Sequence, residues 1–256
     1  MTATALNTPN HPTTELLQAQ LFDYPVHLVS SQQGLERLSA NIDEGRNFRV
    51  ITLNPEMIMQ ADRDADLAQV IINSDLVIPD GAGVVWALKT RGYQVERLPG
   101  IEFSEEVFKL AAMRGYRVAI VGSSQPVLDQ ARQRLCEKYP GLNIVYTHKG
   151  FFESPEERSS TAEACAETHP QVVFVGLGVP RQEKWISDFA SRFSGTAFIG
   201  VGGSLDVWSG ITRRAPAWMR TLNLEWLYRI STEPHRLKRV YISLPMFVVK
   251  VLLSRQ

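Results

Sequence analysis

The chain has 256 residues, 44% of them hydrophobic, with 27 Lys+Arg balanced by 27 Asp+Glu and a formal net charge of zero. That length suits one large α/β domain or one domain with an appendage, and the balance offers no footprint for a nucleic-acid partner. Two cysteines (Cys136, Cys165) without Cys-x-x-Cys spacing, five histidines without ligand spacing and no run of 18 apolar residues exclude a disulfide scaffold, a metal motif and a membrane span.

Residues 1–20, rich in Thr, Asn and Pro and lacking an apolar core segment, read as a disordered leader rather than a signal peptide. Tyr24–Val29 reads as a first strand, and Ser30 or Ser31 can cap a helix to about Glu44. Phe48–Leu53 is a second strand, followed from Asn54-Pro55 by one helix to about Ile72. Asp75–Pro79 is a third strand, and Asp80-Gly-Ala-Gly83 opens a helix through Lys89. Arg117–Gly122 is a fourth strand with a helix near Pro126–Lys138, and Asn143–Thr147 a fifth with a helix over Pro155–Glu167. Gln171–Val175 and Ala197–Val201 complete the set, apolar runs without alternation that suit strands buried on both faces. Strands alternating with helices predict a Rossmann-like, largely parallel sheet flanked by helices, over 21–212.

Ligands of such sheets bind beyond the carboxyl ends of the strands. Five strand ends place small or polar groups there: Thr52-Leu-Asn54, Asp80-Gly81, Gly122-Ser123-Ser124, Gly176–Gln182 and Gly202-Gly203-Ser204. Gly176 and Gly178 let backbone approach a ligand, and Pro180 suits the first turn of the helix that follows, whose free N–H groups suit an anion. The dinucleotide fingerprint is absent, because Arg181 follows Gly176/Gly178, and Trp86 follows Gly81/Gly83, where the third small residue belongs. No P-loop is present either. Asp80 reads as a helix N-cap or as a general base at the mouth of the cleft. Asp62-Arg-Asp64 has the Asp-x-Asp pattern of metal-dependent sugar transferases, but it falls mid-helix and reads as a solvated face.

From Arg213 the character changes: residues 213–256 carry nine Lys/Arg against Glu225 and Glu233, so the remaining chain is acidic. This stretch predicts a basic helical appendage, with helices over Leu222–Ile230 and from His235 to about Leu253. The second ends in a very apolar segment flanked by Lys250 and Arg255. It suits packing on the domain or lying on a membrane surface, lipid-facing aliphatics beside cations for head groups.

Four blocks together resemble the WecG/TagA/CpsF glycosyltransferases: Thr52-Leu-Asn-Pro-Glu56; Ile78-Pro-Asp-Gly-Ala-Gly-Val-Val-Trp86; Val175–Trp185; and Gly200–Asp206 with Arg214-Ala-Pro-Ala-Trp218 and Glu225-Trp-Leu-Tyr-Arg229. The resemblance covers about residues 22–245. It implies an inverting hexosyltransferase, metal-independent and without a cofactor, that moves a sugar from a UDP-sugar to a polyprenyl-diphosphate-linked saccharide. In well-known members the donor is UDP-N-acetylmannosamine and the acceptor is undecaprenyl-diphosphate-linked GlcNAc. The family's proposed base aligns with Asp80, with Thr52 beside it; Arg229, Arg236 and Arg239 match arginines that the appendage contributes to catalysis. Asn54, Gly81, Arg97, Gly122, Gly176, Gly178, Pro180, Gln182, Glu183 and Gly203 fall in the substrate-binding blocks. The resemblance further implies a peripheral place on the cytoplasmic face of the plasma membrane and a possible homo-oligomer. Two other functions stay open on the residues alone: an α/β nucleotide-binding enzyme of another class, which the missing fingerprint disfavours, and a non-catalytic membrane-surface module, which leaves Asp80 unexplained.

Overall fold

The structure, a computed structural model, describes residues 16–221, 225, 227–228 and 237–254, with the side chains of 237–242 outside that description. Six strands form one parallel sheet: β3 (Phe48–Leu53), β4 (Leu76–Pro79), β5 (Arg117–Gly122), β6 (Asn143–His148), β7 (Val172–Gly176) and β8 (Ala197–Gly200), in the order β4-β3-β8-β7-β5-β6. Their side chains alternate between two buried faces. Val50, Ile78, Ile120, Phe174 and Ile199 enter one core with helix α5 (Gly100–Arg114). Ile51, Leu53 and Val77 face α2 (Pro55–Ala61), α3 (Ala65–Ile72) and α4 (Ala82–Lys89). Ala119, Val121, Val173 and Val175 pack with α7 (Pro155–Glu167) and α8 (Arg181–Phe189). Burial on both faces is why these strands read as continuous apolar runs.

The first core is anchored by Phe108, 4.2 Å from Phe174 and 5.0 Å edge-on to Trp208, which ties α5 and the short helix α9 (Ser204–Trp208) to β7. Beside it lie α1 (Ser31–Asp43), closed by a Ser30/Gln33 capping box, and α6 (Gln125–Lys138).

Four expectations change. Residues 18–20, expected within a disordered leader, are strand instead: β1 (Gln18–Leu21) pairs antiparallel with β2 (Tyr24–His27), and residues 1–15 lie outside the described residues. The Tyr24–Val29 segment therefore belongs to a separate hairpin. It docks on the edge of the main sheet where His27 Nδ1 accepts the Val77 amide at 2.9 Å. The helix expected over 54–72 breaks at Asp62-Arg-Asp64, because Asp64 caps α3 by accepting the Leu67 amide at 3.2 Å. The two aspartates do lie at the solvent-facing surface, and there each also meets a lysine from far along the chain. Lys250 Nζ lies 2.6 Å from Asp62, and Lys184 Nζ 2.9 Å from Asp64. Helix α5 was not expected, although Phe103, Val107, Phe108 and Ala111 recur at helical spacing and Gly115 closes it in the left-handed region.

The C-terminal helix, Leu237–Leu253, packs on α2 and α4 with Phe247 and Val251 fully buried. Its opposite side exposes Val249, Leu252 and Leu253, so of the two readings of this segment packing on the domain accounts for one face. The helix expected over Leu222–Ile230 lies mostly outside the described residues; before it, α10 spans Ala217–Thr221.

Candidate functional site

A cavity of about 440 Å³ opens beyond the carboxyl ends of β3, β4 and β8. Here the fold changes direction. The chain leaving β3 packs through α2 on one face, whereas α9 after β8 packs on the other, and a crevice forms between diverging helices. Thr52, Asn54, Asp80, Gly81, Arg97, Gly178, Gln182 and Gly203 line it. These residues come from five separate segments of the chain.

Each is placed by a local cause. Asn54 caps α2, accepting the Met57 amide at 3.0 Å. Asp80 lies beyond the last residue of β4, its amide donating to Leu53 O at 2.9 Å. The N-cap position of α4 belongs to Gly81, so Asp80 is one residue outside the helix it was weighed as capping. Thr52 is 9% exposed, pressed against the first residue of α5, Gly100. The N-terminal residues of α4 (Ala82, Gly83), α5 (Gly100, Ile101) and α8 (Gln182) all meet the cavity. Three helix N-termini concentrate positive potential there and suit an anion such as a diphosphate.

Gln182, 2% exposed, joins the loops after β7 and β8. Its Oε1 accepts the amides of Gly178 at 3.2 Å and Gly202 at 2.9 Å, and its Nε2 donates to Glu183 Oε1 at 2.7 Å. Glu183 is 1% exposed, and burial pushes its carboxyl up to about 7. Arg97 reaches the appendage, donating to Glu225 Oε2 at 2.9 Å. Arg214 joins this set, 2.6 Å from Glu102 and 3.6 Å from Glu225, and Arg220 lies 3.4 Å from Glu102. This ladder of alternating charges holds the start of the appendage against α5.

Four expected residues do not line the cavity. Gly122 and Gly176 are register partners of β5 and β7, so close that a Cβ on Gly122 would lie 2.5 Å from Gly176 backbone. They serve strand packing. Pro180 is the N-cap of α8, and Glu183 lies behind Gln182. Of the three appendage arginines, Arg229 and Arg236 lie outside the described residues, and Arg239 is in the C-terminal helix with its side chain outside the description. Conversely, Trp86, Glu225 and Gly100 line the cavity, as do Leu244, Phe247 and Val248 of the C-terminal helix. No local signal assigned these positions to the cleft, because the C-terminal helix reaches it from the far end of the chain. Among the described residues no group of three or more His, Cys, Asp or Glu is placed to hold a metal, and no helix is long and apolar enough to cross a membrane.

Comparison with known proteins places this site in context. The glycosyl transferase WecG/TagA/CpsF family matches residues 19–256. An N-acetylglucosaminyldiphosphoundecaprenol N-acetyl-beta-D-mannosaminyltransferase of Bacillus subtilis (strain 168) is 34% identical over 212 residues, 82% of this chain and 81% of that protein. A protein of the same description from Staphylococcus aureus (strain NCTC 8325 / PS 47) is 32% identical over 206 residues, 80% of each chain. The chain belongs to the WecG/TagA/CpsF glycosyl transferase family.

Proposed function

We propose that this family member transfers an N-acetylmannosamine-type sugar, or a related hexose, from a UDP-sugar to a polyprenyl-diphosphate-linked saccharide in cell-surface polysaccharide synthesis. The observation that carries the reading is the placement of Asp80 on the rim of a cavity into which the N-termini of α4, α5 and α8 open. Asp80 takes the proton of the acceptor hydroxyl as that oxygen attacks the anomeric carbon. The bond from that carbon to the UDP oxygen breaks on the opposite side, so the product is inverted. The charge that grows on departing UDP meets oriented backbone N–H groups, which act without a metal or cofactor. Arg229, Arg236 and Arg239 add guanidinium forks from the appendage.

The acceptor is lipid-linked, and the exposed side of the C-terminal helix supports a peripheral place on the inner face of the plasma membrane. Val249 is 53% and Leu253 75% exposed, on a helix whose other face helps wall the cavity. Membrane docking of this helix would bring the lipid-borne hydroxyl toward Asp80.

The test is UDP release from a panel of UDP-sugars, with and without synthetic polyprenyl-diphosphate-GlcNAc, for the wild type and Asp80→Asn. Acceptor-dependent release that survives EDTA and disappears in Asp80→Asn is the expected result. Unchanged turnover in Asp80→Asn would remove the base from the reading, and failure to bind UDP at all would remove the donor.

A further inference from the structure

We propose that Glu183 is a positioning residue of this site. From behind the cavity its carboxyl holds the Gln182 carboxamide in the one orientation that clasps the two glycine loops forming the cavity floor. The inference rests on the donor reading above for its functional consequence, but its structural core stands on the contacts alone.

One atom of Gln182 receives two backbone amides, those of Gly178 and Gly202, and only a carbonyl oxygen can accept both. The orientation of the carboxamide is therefore set, and its Nε2 must find an acceptor in a place without solvent. Glu183 Oε1 is that acceptor at 2.7 Å. The pair sits against Gly200, where a Cβ would fall 2.5 Å from Gln182 Nε2 and 3.2 Å from Glu183 Oε1. There is no space for the carboxamide to turn aside. If the acceptor is removed, the buried NH2 loses its partner, and rotation that restores one loses both loop contacts. Gly178 and Gly202 both line the cavity, 24 residues apart in sequence, and Gln182 is the side chain that joins them. The second oxygen of Glu183 has no hydrogen-bond partner, and the carboxyl is almost wholly buried. So costly a group is retained here for what its first oxygen holds.

The experiment compares the wild type with Glu183→Gln, which keeps an acceptor oxygen, and Glu183→Leu, which removes it at similar volume. UDP affinity is read by calorimetry below the unfolding temperature of every variant. Glu183→Leu is expected to weaken UDP binding by about tenfold or more, equivalent to about 1.4 kcal/mol, with Glu183→Gln rescuing most of that loss. Equal affinity of a folded Glu183→Leu and the wild type would overturn the proposal, as would equal losses in both variants. Amide exchange at Gly178 and Gly202 is measured on the same proteins and needs no ligand. Protection is expected to fall in Glu183→Leu and persist in Glu183→Gln, and unchanged protection in Glu183→Leu overturns the clasp. Gly200→Ala, which crowds the same pair while leaving the carboxyl in place, serves if Glu183→Leu does not fold, with the same loss of affinity and protection expected. A wild type that binds no UDP but shows the exchange pattern would sink the donor reading and keep the positioning role.

Discussion

Burial of Glu183 makes stability depend on pH in a way one substitution can isolate. Burial, the largest cause, pushes its carboxyl up to about 7 from the ordinary glutamate value of 4.5. A raised acid binds its proton more tightly in the folded state. The fold is therefore favoured most below the unfolded value, loses stability as pH rises from about 4.5 to about 7, and levels off above. A shift of about 2.5 pH units is worth roughly 3 kcal/mol at about 1.36 kcal/mol per unit. His27 acts in the opposite sense: burial lowers its value, so stability falls as pH drops below 6.5. The wild-type profile mixes the two, and the informative quantity is its difference from Glu183→Gln. Urea unfolding followed by tryptophan fluorescence at pH 5 and pH 8 should show Glu183→Gln gaining about 2–3 kcal/mol on the wild type between the two pH values. In a domain of this size that is roughly 4–12 °C of relative Tm. Parallel pH profiles would mean that the carboxyl is not buried as described.

Other outcomes follow from the same contacts. Asp80→Asn should lower kcat by about 10²–10⁴-fold while leaving UDP affinity within a few-fold, since it replaces the proton-accepting carboxylate by a group of nearly the same shape; equal losses in kcat and in UDP affinity would make Asp80 a binding residue instead. Gly100→Ala would place a Cβ 2.6 Å from Thr52 Cγ2 and 2.9 Å from Thr52 Cβ, so UDP-sugar KM should rise and thermal stability fall, with Thr52→Ala in the same chain relieving only part of the stability loss. Phe247→Ala empties a fully buried position and should cost about 3–5 kcal/mol in unfolding experiments. For the same reason removal of residues 213–256 should destabilise the domain as well as inactivate it, because Phe247 and Val251 belong to its core; an intact Tm in that truncation would show that the helix contributes no packing.

Much of this was written in local sequence. Apolar runs such as Gln171–Val175 have the composition of strands buried on both faces, and Ser30 and Asn54 announce helix starts by the side chains that cap them. Because those strands are parallel, their ends share one edge, and strand ends alone gather Thr52, Asp80 and Gln182 at a cleft. The β1–β2 hairpin was hidden, since pairing partners and sheet membership are non-local, and nothing within Tyr24–His27 says whether it joins the main sheet. The break at Asp62–Asp64 was hidden too, because an aspartate reads alike on a helix face and at a cap until its partners, Lys250 and Lys184, arrive from far along the chain. Tertiary structure alone separated Gly122 and Gly176, where two strands meet, from Gly178 and Gly203, which face the cavity. It alone set Glu183 behind Gln182 and brought Phe247 against the α2–α4 face. Periodicity and capping are properties of neighbours in sequence, whereas the contents of a pocket depend on which distant segments the packed core brings together.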